Sequence, residues 1–216
     1  MKKRTPYTSG ARMYDVVSGE PVYRPGRVAG ISMLGLELGD VVLDLGCGTG
    51  LNFELLRAAV GPYGQVIGLD RSQEMLSVAQ RRIDNNGWNN VSLVQADATA
   101  FTLDDLPAER IDAVLATYSL SVVDDPAAAW ERARAVIRKT ERVCGTVRPG
   151  GKAAVVDMQR PSGAARVFTP IVEAVCKFGH ADLDARPWTM LLRDGRDLRF
   201  QSLRGGHIQV VAGVLG

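Results

Sequence analysis

The chain has 216 residues, with 26 Lys or Arg against 24 Asp or Glu and a formal net charge of +2. With 46% hydrophobic and 23% charged residues, that length suits one soluble globular domain with a sizeable core. The net charge is too small to imply nucleic-acid binding, no apolar run approaches the ~18 residues of a membrane-spanning helix, and the basic amino terminus lacks the apolar centre of a signal peptide.

Residues 1–26 read as an amino-terminal tail and lid segment, ahead of a single domain over 27–216. The first 30 residues carry Lys2, Lys3, Arg4, Arg12, Arg24 and Arg27 against Asp15 and Glu20. Such a stretch suits a solvated tail or a surface that meets anionic substrates or lipid head groups. Met13–Val17 starts a short helix, which Pro21 and Pro25-Gly26 punctuate. From Arg27 to Leu38, Val28, Ile31, Leu34 and Leu38 stand three and four apart and predict an amphipathic helix.

Val41-Val42-Leu43-Asp44-Leu45 is an apolar, β-branched run of the kind buried on both faces in a parallel sheet. It ends in Gly46-Cys47-Gly48-Thr49-Gly50, and a helix follows to about Val60. A turn at Gly61–Gly64 leads to a second strand, Gln65–Asp70. Ser72 can cap a helix from Gln73 to about Asp84, closed by Asn85-Asn86-Gly87. Val91–Asp97 is the third strand, and Ile111–Ala116 the fourth. Asp124-Asp125-Pro126 is a helix start, and an apolar stripe through Trp130, Ala133, Ile137, Thr140, Cys144 and Val147 carries that helix to about Val143. Pro149-Gly150-Gly151 turns into a fifth strand, Lys152–Asp157. An irregular segment over 158–195 holds a helical piece near Thr169–Lys177. Leu198–Leu203 and His207–Ala212, around Gly205-Gly206, form a closing hairpin that a mainly parallel sheet can carry at its edge.

Asp44, Asp70 and Asp97 each end a strand, 26 and 27 residues apart, close to one strand–helix repeat. All three therefore line one crevice along the carboxyl edge of the sheet. The glycine pattern is G-x-G-x-G, with Leu51 where a dinucleotide site wants its last glycine, and the Gly-Lys-Ser/Thr of a phosphate loop is absent. An acidic crevice favours a cofactor with positive charge over a pyrophosphate. S-adenosylmethionine has that charge in its sulfonium and ammonium, and offers ribose hydroxyls and an adenine amino group. The three cysteines, Cys47, Cys144 and Cys176, are odd in number and lack metal-ligand spacing; no metal is expected, and reduced thiols of a cytoplasmic protein are the economical reading. With no histidine beside it to activate its thiol, Cys47 reads as a small packing residue.

Val41–Asn52 resembles the first motif of class I S-adenosylmethionine-dependent methyltransferases, and Val66–Asp70, Val94–Ala98, Ile111–Ser119 and Arg148–Asp157 resemble the later motifs in order. The resemblance implies an α/β, Rossmann-like, seven-stranded, mainly parallel sheet with helices on both faces and an antiparallel last strand. It implies that Gly46 and Gly48 admit the methionine moiety and that Asp44 orients its ammonium, with Cys47 and Asn52 in the same motif. Asp70 takes the ribose hydroxyls, Arg71 and Met75 pack on the adenine, Asp97 and the Ala98 amide bind its edge, and Thr117 and Tyr118 line the sulfonium end. Tyr14, beside Asp15, resembles an aromatic residue that folds over the cofactor in similar enzymes. The product of the cofactor is then S-adenosylhomocysteine.

Within the superfamily, Tyr23-Arg24-Pro25-Gly26-Arg27 and Gly205-Gly206-His207-Ile208 resemble phosphatidylethanolamine N-methyltransferases and quinone C-methyltransferases. The favoured acceptor is an amine-bearing lipid or related metabolite, with O- or C-methylation of a sugar, phenol or quinone as the alternative. A nicotinamide-dependent oxidoreductase and a non-catalytic cofactor-binding subunit remain as further alternatives. Tyr118 and His180 are the candidates for a general base, whereas His207, at a strand start, reads as a packing residue. A monomer or homodimer is expected, free in the cytoplasm or in peripheral contact with a membrane through its basic amino terminus. Residues 139–147 read as extra length before Arg148-Pro149-Gly150-Gly151.

Overall fold

The computed structural model describes residues 20–137, 141–143, 146–148, 150–178 and 181–215. Tyr14, the helix expected at Met13–Val17, Cys144 and His180 lie outside the described residues. Seven strands form one sheet: β1 (Val41–Leu45), β2 (Gln65–Asp70), β3 (Val91–Gln95), β4 (Ala113–Thr117), β7 (Lys152–Met158), β8 (Arg196–Leu203) and β9 (Ile208–Val214). Their order is β3-β2-β1-β4-β7-β9-β8. Neighbours from β3 to β7 pair in parallel, whereas β9 pairs antiparallel with both β7 and β8. The strand order reverses between β1 and β4, the switch point at which open α/β sheets hold their ligands.

The helices divide between the two faces by strand alternation. Val42, Val66, Leu115 and Ala154 pack on one face with Ile31 and Leu34 of α1 (Glu20–Leu34), Phe53 and Leu56 of α2 (Phe53–Val60), and Leu76 and Ile83 of α3 (Gln73–Asn86). Leu43, Ile67, Val114 and Val155 pack on the other with Trp130 and Ala133 of α4 (Pro126–Val136) and Leu191 of α6 (Trp188–Asp194). The Trp130 indole donates to Asp194 Oδ2 at 2.8 Å and ties α4 to α6. α5 (Thr169–Phe178) follows a 3-10 turn over Gly163–Phe168. The ends of α3 are as read: the Ser72 hydroxyl accepts from the Met75 amide, and Gly87 closes the helix in the left-handed conformation.

Three expectations are corrected. Pro21 and Pro25 do not break the first helix, which begins at Glu20 and contains Pro25. Pro21 sits in the first turn, where its missing N–H is tolerated. Pro25 has no N–H to give to the Pro21 carbonyl four residues back, and the Arg204 guanidinium donates to that carbonyl instead, at 2.6 Å. Leu38 lies beyond the helix and is 80% exposed. The helix expected to reach Val143 stops at Val136; Ile137 bridges Ile111 in parallel. The extra length holds a small antiparallel pair, β5 (Glu141–Val143) and β6 (Thr146–Arg148). Val143, Thr146 and Val147 are β-branched, and that preference wins over the helical spacing of the stripe. No helix among the described residues is long and apolar enough to cross a membrane.

Candidate functional site

The turn after β1 is held from below. The Gly46 and Cys47 amides both donate to the Leu69 carbonyl, at 2.8 and 3.0 Å. Gly46 has φ +73°, and a Cβ there would fall 2.5 Å from the Ser119 Cβ. Ser119 is itself fixed, its hydroxyl donating to the Leu45 carbonyl at 2.7 Å. Gly48 also lies in the left-handed region, at φ +54°, but a Cβ there would meet nothing within 4 Å. Gly46 is thus required by the protein's own packing, whereas Gly48 faces open space that a ligand can enter. Burial pushes the Cys47 thiol up, in keeping with a packing residue.

Asp44 lies on the face of β1 that carries Val42, and is fully buried. The Asn52 side-chain nitrogen donates to both of its oxygens, at 3.0 and 3.1 Å, and to the Thr117 hydroxyl at 2.9 Å. This clasp joins the ends of β1 and β4 to the residue before α2. The Asn52 side-chain oxygen, Oδ1, is buried with no hydrogen-bond partner, an acceptor left over at the cradle. Burial raises Asp44 to about 7, against the opposing pull of Asn52 and of the Arg27 charge. An arriving cation would supply the compensation that burial removes.

Asp70 accepts from two turns at once: the Gly48 amide bonds Oδ2 at 2.9 Å and the Ser72 amide bonds Oδ1 at 2.8 Å. Burial nevertheless raises its pKa. Each oxygen keeps a lone pair, so a diol can still be received. Met75 is buried in the first turn of α3, and exposed Arg71 faces Asp124 at 3.4 Å. Asp97 is exposed and pinned by its own loop, accepting from the Thr99 amide and hydroxyl at 2.8 and 2.7 Å. Those two bonds hold its carboxyl below the usual range, and Ala98 is half-buried beside it. The expected adenine end is therefore open, while the expected methionine end is enclosed.

Tyr118 ends β4 at φ +54°, a strained conformation for a residue with a side chain. Its hydroxyl donates to the Tyr23 carbonyl at 2.8 Å, and the two rings meet edge-on with centroids 5.0 Å apart. Burial raises the Tyr118 pKa, and its proton is committed to a carbonyl. Tyr118 is thereby removed from the candidates for a general base and stands as a wall. His207, read from the sequence as a packing residue, is buried, 3% exposed; β9 runs antiparallel, so its start lies at the carboxyl edge of β7. The His207 ring sits 3.2 Å from the Tyr23 hydroxyl. Arg27, 5% exposed and close enough to act electrostatically on Asp44 and Tyr118, was also missed; the basic charge of the amino terminus hid a buried arginine among solvated ones.

A glycine cradle and three acids along the carboxyl edge, at the switch point of a 3-2-1-4 parallel sheet with one antiparallel strand, define a class I methyltransferase fold. The donor set fits S-adenosylmethionine: open space at Gly48, a spare acceptor at Asn52, and carboxylates at Asp44, Asp70 and Asp97. The methyltransferase domain family matches residues 36–186, and the chain belongs to it. Among similar curated proteins, the 2-phytyl-1,4-naphtoquinone methyltransferase of Synechococcus elongatus is 39% identical over 132 residues, 57% of this chain and 48% of that protein. The demethylmenaquinone methyltransferase of Shouchella clausii is 30% identical over 61% of this chain and 51% of its own length. The chain thus covers about half the length of these relatives. A solved S-adenosylmethionine-dependent methyltransferase from Aquifex aeolicus shares the fold over 99% of this chain and all of its own, at TM-score 0.63 and 18% identity. Phosphoethanolamine N-methyltransferase 2 of Haemonchus contortus superposes over 98% of this chain and 58% of its own, at TM-score 0.69 and 15% identity.

Proposed function

We propose that this protein transfers a methyl group from S-adenosylmethionine to a small aromatic acceptor of the phenol or quinone type. The observation that carries the cofactor reading is the clasp of Asp44, Asn52 and Thr117 beneath an open Gly48. Bound in this cradle, the cofactor supplies an activated methyl on a good leaving group. The chain's own residues bind, orient and enclose. Asp44 faces the cationic end, Asp70 the ribose hydroxyls and Asp97 the adenine amino group. Thr117 and Tyr118 wall the reacting end, and Tyr118 holds Tyr23 beside it. Alignment of this kind is worth up to ~7–11 kcal/mol.

Of the two acceptor classes set out above, the phenol or quinone has the better support. The names of the curated relatives favour it, at 39% and 30% identity over 57% and 61% of this chain. The wall beyond Tyr118 is apolar, built from Met158, Cys176 and Leu183. The amine reading rests on a fold likeness at 15% identity. Calorimetry with S-adenosylmethionine and with NAD tests the cofactor, and transfer of labelled methyl to 1,4-naphthohydroquinone or to phosphoethanolamine tests the acceptor. Asp70→Ala should weaken S-adenosylmethionine about 10- to 100-fold, from the ~1.5–3 kcal/mol of hydrogen bonds to a charged group. Unchanged affinity, or tighter binding of NAD, would overturn the cofactor reading.

A further inference from the structure

We infer that Tyr23 and His207 form a proton-accepting pair at the reacting end of the site, which takes the proton that an O–H acceptor, a phenol or hydroquinone, must lose as it is methylated. The inference rests on the methyltransferase reading above and deepens it.

His207 Nδ1 lies 2.6 Å from the Gln159 carbonyl oxygen. A carbonyl only accepts, so Nδ1 carries the proton and Nε2 bears the lone pair. That lone pair faces the Tyr23 hydroxyl at 3.2 Å, and Tyr23 donates to it. The ring is 3% exposed, whereas Tyr23 is half-buried. The imidazole thus stands behind the phenol, and Tyr23 is the member that a molecule entering beside Tyr118 would meet. Each partner is separately fixed. Tyr118 donates to the Tyr23 carbonyl and stacks edge-on against its ring. The His207 carbonyl in turn accepts from the Gln159 amide at 2.8 Å.

The groups that surround the pair leave it uncharged at rest. Around it stand Arg27 of α1, Tyr118 after β4 and the buried Asp157 of β7, Cys176 of α5, whose thiol is hydrogen-bonded with the Tyr23 side chain, and Arg204 of the hairpin turn. Asp157 is engaged by the Ser121 amide and hydroxyl, at 3.1 and 2.7 Å. Arg204 is engaged by the Pro21 carbonyl. Burial holds the imidazole below its ordinary pKa, so it is a neutral acceptor near pH 7. An alkyl ammonium must also shed a proton before it attacks, so the pair supplies the base while the apolar wall of Met158, Cys176 and Leu183 beside Tyr23 and Tyr118 favours a phenolic acceptor.

The step balances. The acceptor O–H proton passes to the Tyr23 oxygen as the Tyr23 proton passes to His207 Nε2. The electron pair freed on the acceptor forms the bond to the methyl carbon, while the carbon–sulfur bond breaks and its pair stays on sulfur. The imidazolium then returns its proton to solvent. Where a ring carbon takes the methyl, its own hydrogen leaves as a proton while the ring regains aromaticity and the oxygen is reprotonated.

The chain has two histidines, so nitrogen-detected NMR of the free, full-length protein resolves them readily. The expected result is a His207 ring protonated at Nδ1, titrating below pH 6.5, whose Nε2 resonance shifts in Tyr23→Phe. A ring protonated at Nε2, or one indifferent to that substitution, would overturn the inference without any turnover measurement. With 1,4-naphthohydroquinone, Tyr23→Phe and His207→Gln should each lower kcat about 100-fold or more, the range of general-base catalysis. Both should leave S-adenosylmethionine affinity within about twofold, and His207→Gln should remove the acidic limb of the kcat–pH profile. Tyr23→Phe removes only a hydroxyl, so the reading survives a His207 variant that fails to fold. Wild-type kcat in both variants would sink the pair as a proton acceptor, and transfer to phosphoethanolamine with none to the hydroquinone would sink the O–H acceptor. Failure of the wild type to bind S-adenosylmethionine would instead strike the reading on which it rests.

Discussion

At the scale of single residues, Asp44 is the group whose chemistry changes most when a ligand arrives. Its pKa near 7 leaves it partly protonated at neutral pH, and a cationic partner favours the charged form. Binding of S-adenosylmethionine at pH 6.5 should therefore release protons. Calorimetry in buffers of different ionisation enthalpy should show that release in the wild type and not in Asp44→Asn. Gly46 makes the opposite kind of prediction, about the protein alone. Gly46→Ala forces an alanine to φ +73° and a Cβ against Ser119, and should cost about 1–3 kcal/mol in denaturant unfolding. The sequence pattern placed Asp44, Asp70 and Asp97 on the right edge because it read each as the end of a strand, although β3 stops at Gln95 and Asp97 lies in the loop beyond it. It placed Tyr118 there as well, but not the direction of its hydroxyl, which depends on a carbonyl 95 residues away. The place of His207 was not legible, because a lone histidine has no local pattern and its position follows from the direction of a strand near the end of the chain.

At the scale of elements, α1 shows how a helix can be brought close to a sheet. A Cβ on Gly26 would fall 2.1 Å from the Tyr118 hydroxyl, and one on Gly30 2.4 Å from Val156. The two glycines, one turn apart, let α1 lie against β4, β7 and β9. Gly26→Ala should therefore push the helix off the sheet. About 1–3 kcal/mol of stability is expected to go with it, as for overpacked cores, and the Tyr118–Tyr23 contact should loosen, readable as a change in near-ultraviolet circular dichroism. Helix limits were legible where a cap marks them, as at Ser72 and Gly87. They were not where two preferences compete. The stripe from Trp130 to Val147 has helical spacing, yet within its far half Glu141–Val143 and Thr146–Arg148 pair as antiparallel strands, with β-branched Val143, Thr146 and Val147 among them. Pro25 misled in the other direction, because the donor that compensates for it lies in another element.

At the scale of the whole molecule, the buried carboxyls set a pH dependence. Asp157, raised to about 6 by burial, binds a proton in the folded state at a pH where the unfolded chain, with an ordinary Asp near ~3.9, does not. Its contribution is thus fully present below about pH 4 and is lost as pH rises through 6. Asp157→Asn should remove that slope, so the difference in melting temperature between wild type and variant should move in the variant's favour from pH 4 to pH 7. The parallel sheet and the edge that carries the site followed from the regular spacing of the acids, and the seven-stranded class from the methyltransferase resemblance, whereas the wall beyond Tyr118 comes from an irregular segment with no repeat to read. One tie across the molecule has a wider consequence. The Arg204 guanidinium that mends the proline gap in α1 belongs to the same turn that delivers His207. The helix carrying Tyr23 is thus fastened to the hairpin carrying its partner. A hinge motion that swung α1 outward to admit a substrate would also part phenol from imidazole, so admission and readiness become opposite phases of one cycle, and a proton could be taken only after the door had shut.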